Sequence, residues 1–154
     1  MMGLAVLLHV IAAVIWVGGM FFAYMFLRPV AASQLEPPAR LTLWVGVFGR
    51  FFPWVWASIV VILASGFWII FAVYGGMGAV GLYVHAMLGL GVLMMLIFFH
   101  VFFAPYGRLK RAVAAQDWPV GGKALSQIRM LVGINTLIGL LTLAIGAAGR
   151  YLVP

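Results

Sequence analysis

Three stretches of the chain contain no Asp, Glu, Lys or Arg at all: residues 1–27, 51–107 and 130–149. A helix needs about 20 apolar residues to cross the hydrocarbon core of a bilayer. The first and last stretches therefore supply one pass each, and the 57-residue middle one supplies two. The glycines of Tyr74-Gly75-Gly76-Met77-Gly78 permit the tight reversal between those two passes. Backbone groups in lipid must bond internally, which excludes isolated strands. The expected fold is an all-α integral membrane protein, a bundle of four transmembrane helices at about residues 4–27, 53–74, 79–103 and 130–150, forming a single domain over 1–154. The first run lacks a basic amino-terminal region and is too long for a signal core, so it counts as a span rather than a cleaved leader.

Charge sets the orientation. Of nine basic residues, Arg28, Arg40 and Arg50 lie in the 28–52 link and Arg108, Lys110, Arg111, Lys123 and Arg129 in the 104–129 link; only Arg150 lies at the other end. By the positive-inside rule both links are cytoplasmic and both termini periplasmic. A chain that is 67% hydrophobic with 7% charged residues cannot clothe a soluble globule. The net charge of +7 sits between apolar runs rather than on a polar face, so a nucleic-acid partner is excluded and the lipid bilayer is the expected one. Without cysteine there are no thiolate metal sites, disulfides or thiol nucleophiles. Pro37 and Pro38 suit a helix start, and Leu41, Trp44, Val45 and Phe48 follow at helical spacing, which predicts a short interfacial helix running into the second span near Pro53 with a kink there. Residues 108–116 suit a further amphipathic segment. Trp54, Trp56 and Trp68 fall near the two ends of the second span, where aromatic belts belong.

Three histidines interrupt the apolar runs: His9 in the first predicted span, His85 and His100 in the third. Ionisable residues inside a membrane are costly and suggest a function, the plainer account being a ring near the membrane edge bonded to a carbonyl or water. The first and third spans run the same way, and His9 and His85 each lie on the order of 8 Å below the outer edge. Two imidazoles at equal depth on parallel helices can share one metal, and imidazole is a common ligand of haem iron and of copper. His100, some 22 Å further along the helix, cannot reach the same ion and is either structural, a lone axial ligand or a proton relay.

Around His9 the stripe Ala5, His9, Ala12, Trp16, Gly19 and Ala23 is mostly small, as is His85, Gly89, Val92 and Leu96. Such stripes let a neighbouring helix, or a flat macrocycle, approach the backbone. The expected cofactor is a haem b ligated by His9 and His85, with Trp16, Gly19 and Tyr83 around it and Arg150 on a propionate, unless Arg150 simply anchors in headgroups. Copper is the alternative, since thioethers and imidazoles suit Cu(I) and a path can be drawn through His9, Met20 and Met94; His100 and Met87 are secondary metal candidates. Methionine is also ordinary core filler. No intramembrane carboxylate is present, which disfavours hydrolysis and acid-driven proton coupling. Ser58, Ser65, Asn135 and Thr136 suit hydrogen bonds between helices.

The run Leu8-His9-Val10-Ile11-Ala12-Ala13-Val14-Ile15-Trp16-Val17-Gly18-Gly19-Met20-Phe21-Phe22, followed by Leu27-Arg28-Pro29, resembles the first helix of the copper-resistance D (CopD) family. His85-Ala86-Met87, His100-Val101-Phe102-Phe103-Ala104-Pro105 and Gly149-Arg150-Tyr151-Leu152 fit its short, single-domain type. The resemblance implies a multi-pass protein of a bacterial inner membrane, a role in copper uptake or tolerance beside a periplasmic copper carrier, and His9 as a metal-site residue. The layout is also similar to HemJ-type membrane haem proteins, which have a first-helix histidine at the place of His9 but a lysine where this chain has Met87. Three readings follow: a haem b protein of electron transfer, acting as a membrane oxidoreductase with a periplasmic redox partner; a copper permease or tolerance factor; or a helper subunit of a larger membrane complex. Small-residue faces would also allow a homodimer.

Overall fold

Four helices are long and apolar enough to cross a membrane in the computed structural model, which describes residues 1–152: Met2–Gln34, Pro37–Val73, Leu82–Ala114 and Trp118–Gly149. The protein is thus an all-helical, multi-pass membrane protein. Each helix outruns its charge-free stretch, because loss of apolarity marks where lipid ends and not where a helix must end.

The first span shows how. Helix α1 (Met2–Phe22) passes through a single π turn (Ala23–Leu27) into α2 (Arg28–Gln34). Pro29 has no N–H to offer the carbonyl of Met25, and its ring would press on it. The wider turn just before it, in which the Arg28 N–H reaches the Ala23 carbonyl, absorbs that conflict without ending the helix. The expected interfacial helix and second span are likewise one helix, α3 (Pro37–Trp68), closing in a π turn (Ile69–Val73). Its first-turn prolines sit where a missing donor costs nothing. Pro53 lies inside this unbroken helix with an exposed side chain.

The reversal falls where the glycines place it: Gly75 and Gly76 have φ of +80° and +131°, values open to glycine and strained for other residues. Helix α4 (Leu82–Phe103) follows, then α5 (Pro105–Ala114), which buries Pro105, Tyr106, Leu109 and Ala112 and exposes Arg108, Lys110 and Arg111. Helix α6 (Trp118–Leu152) starts well before the expected residue 130. Asp117 explains the early start, its Oδ1 accepting the Val120 N–H at 3.2 Å as an N-cap. Gly121, which reads as loop in the sequence, is instead where α6 passes close to Leu41 of α3 and Ala112 of α5.

Helix α1 packs chiefly on α3, and α4 on α6. One core joins them, with Phe52 at its centre touching Phe48, Phe98 and Tyr106 at ring-centroid distances of 4.9–5.4 Å. Trp56 belongs to this core, stacked on Phe99 at 5.1 Å, rather than to an interfacial belt; Trp54 and Trp68 are exposed as a belt requires.

Candidate metal centre

Height along the bundle can be read from Gly139 of α6. A Cβ there would meet Val17 of α1 at 2.9 Å and the Met94 methyl of α4 at 3.1 Å, so Val17 and Met94 share a level. His9 lies eight residues before Val17 and His85 nine before Met94, in helices running the same way. The two histidines therefore stand at matched depth, within about one 1.5 Å step.

Their faces do not match. His9 turns to α3, where its Nδ1 lies 2.9 Å from the Ser65 hydroxyl and its ring edge packs on Gly66. The Ser65 hydroxyl donates to the Val61 carbonyl of its own helix. With its hydrogen so placed, the hydroxyl can accept from Nδ1–H, the tautomer that leaves the lone pair on Nε2; the Ile62 carbonyl also lies within hydrogen-bonding reach of the ring. His85 is exposed, with Nδ1 3.3 Å from the Gly81 carbonyl one turn earlier. The small stripe of α1 also faces α3: the Phe51 ring fills the notch at Gly19, approaching within 2.3 Å of where a Cβ would stand. Trp16 is buried edge-on to Phe98. The stripe of α1 expected to seat a haem thus packs on the protein's own aromatic rings.

The other expected residues scatter. Tyr83 packs on Gly149 of α6, and Met87 on Gly146, one on each side of the exposed His85. His100 is exposed in the last turn of α4. The Arg150 side chain lies outside the described residues. Among the described residues no three His, Asp or Glu side chains gather into a metal site.

What does gather is soft. Met20 and Met94 are buried, and the amide of Asn135, itself 3% exposed, lies between them. Asn135 Nδ2 donates to the Met94 carbonyl at 3.3 Å and lies 3.7 Å from Met20 Sδ. The Thr142 hydroxyl is 4.0 Å from Met94 Sδ. Asn135 Oδ1 is buried with no hydrogen-bond partner among the described residues. Leaving such an acceptor unpaired costs roughly 1–3 kcal/mol. On α4, Met87 and Met94 are two turns apart on one stripe, each set against a glycine of α6. Sequence reasoning treated Asn135 only as a bond between helices; its signal was a lone amide in a 20-residue apolar run.

Residues 45–148 match the family model described as Copper resistance protein D. The match takes in α4 with His85, Met87 and Met94, and α6 as far as Ala148, but starts beyond His9 and Met20. No curated protein and no solved structure matches the chain.

Proposed function

Because the chain belongs to the copper resistance protein D family, we propose that it is a copper permease or tolerance factor whose cargo is Cu(I). The observation that carries this reading is the buried Asn135 amide, whose Nδ2 faces Met20 Sδ and donates to the Met94 backbone carbonyl and whose Oδ1 has no partner among the described residues. Thioethers are soft ligands that suit Cu(I) over harder cations. A monovalent ion asks for little countercharge, which agrees with spans free of carboxylates. Met87, Met94 and Met20 then act as successive ligands from the end that bears the termini toward the bundle centre. His9 offers Nε2 near the entrance, and Asn135 Oδ1 supplies an oxygen where lipid offers none. A copper carrier would dock at that same end.

The test is Cu(I) binding by protein purified in mild detergent, measured against a competing chelator, with copper tolerance of expressing cells alongside. Met20→Leu and Met94→Leu nearly conserve volume, so the core should survive them. Each is expected to weaken Cu(I) binding by about tenfold, some 1.4 kcal/mol, and to lower tolerance. Unchanged affinity in both variants would overturn the reading. Matched depth of His9 and His85 is the one observation that favours a haem b of electron transfer instead. A reduced-minus-oxidised haem band lost in both His9→Ala and His85→Ala would establish it in place of the copper route.

A further inference from the structure

Toward the opposite end of the bundle a cavity of about 220 Å³ opens between α2, α3 and α6. Arg28, Arg40 and Arg129 line it together with Tyr24, Trp44 and Trp118. The three arginines come from three separate elements, so the fold and not the local sequence assembles them. Tyr24 closes on Gly133 of α6, where its ring lies within 2.8–3.0 Å of a Cβ position, and the Arg28 guanidinium rests 4.3 Å over that ring. Arg40 reaches across to the Ala32 carbonyl at 3.5 Å.

Among the described residues no acid balances them. The chain has only Glu36 and Asp117; neither lines the cavity, and Asp117 is engaged in capping α6. Three arginines bordering one small space bring like charges toward one another, which an anion would relieve, and their planar forks match phosphate oxygens. Apart from Ser126 the remaining wall is mostly apolar, with Leu41, Phe48 and Val132. Arg28 directly follows the first charge-free stretch and Arg129 directly precedes the last, which sets the cavity at the boundary between hydrocarbon and headgroups. Its volume is below the roughly 300–1,000 Å³ of drug-sized ligand sites, enough for a phosphate group and its nearest carbons and too small for a nucleotide. We infer that this cavity binds a phosphate group at headgroup level, supplied by an anionic phospholipid whose chains lie along the apolar wall. The inference is independent of copper.

Full-length protein in neutral detergent is heated with phosphatidylglycerol, phosphatidylcholine or inorganic phosphate. Phosphatidylglycerol is expected to raise Tm by several degrees and phosphatidylcholine is not. The gain should vanish in Arg40→Gln/Arg129→Gln and persist in Lys123→Gln, whose site is exposed and outside the cavity. Native mass spectrometry of the unmodified protein, which needs no variant, should show one phosphatidylglycerol retained about tenfold or more over phosphatidylcholine. Equal effects of the two lipids on the unmodified protein, or an undiminished gain in the double variant, would overturn the site. If inorganic phosphate alone reproduces the gain and displaces the lipid, the phosphate recognition holds and its source is a free phosphate.

Discussion

A histidine in a membrane needs a partner for its N–H, and at His9 that partner is a hydroxyl whose own hydrogen is committed to Val61. Ser65→Ala removes this hydroxyl and, with it, the preference it gives to Nδ1–H, leaving the Ile62 carbonyl beside the ring. Interhelical bonds of this kind average about 0.6 kcal/mol and reach about 1.7, so unfolding in detergent should show a loss in that range. The nitrogen NMR signals of His9 should report a mixed tautomer where the native protein shows one; a single Nδ1–H form in the variant would refute the assignment. A second residue is strained in the opposite sense. Gln116 has φ +55° just after α5, where its N–H bonds Val113 and the next N–H, of Asp117, bonds Ala112 at 2.8 Å. This double bond is the Schellman closure that usually takes glycine. Gln116→Gly should therefore raise unfolding stability, by up to about 1 kcal/mol.

Glycines show that helix packing here depends on which neighbour each face meets. Without a hydrophobic drive between helices in lipid, close approach and good packing supply the association. A Cβ at Gly139 runs into the stiff, branched Val17 on one side and Met94 on the other, whereas one at Gly89 meets nothing within 4 Å. Gly139→Ala is expected to cost about 1–3 kcal/mol through overpacking, while Gly89→Ala gains about 0.5–1 kcal/mol from helix propensity; unfolding of the two variants in one detergent should separate them in sign. The same distinction explains what the sequence made legible. Four spans, the Gly75–Gly76 turn and the matched depth of His9 and His85 follow from apolar length and a fixed rise per residue. Which face meets which helix does not, because it depends on how the spans are arranged. The stripe holding His9 and Gly19 turned to α3 and Phe51, while His85 is exposed. Pro119, Gly121 and Gly122 fall in the link expected over 104–129, whereas Asp117 capping and a close crossing made them helix.

Across the whole molecule the exposed surface is apolar, with Leu82, Phe103 and Leu137 each about 70% exposed, as expected of side chains that face lipid rather than water. Charge then governs only how the bundle stands in the membrane. An even number of spans puts both termini on one side, and eight of the nine basic residues lie toward the other. Because the native chain has no cysteine, single cysteines report that arrangement directly. Gly78→Cys lies in the short turn with nothing within 4 Å of its Cβ, and Lys123→Cys is exposed near the start of α6. A membrane-impermeant maleimide should label Gly78→Cys in intact spheroplasts and Lys123→Cys only after lysis. That pattern places His9, His85 and Met87 at the outer face, where copper would enter, and the arginine cavity against the anionic inner leaflet. The reverse pattern would put the entrance of the proposed copper route on the cytoplasmic side, and would set the three arginines against a leaflet whose lipids carry less negative charge.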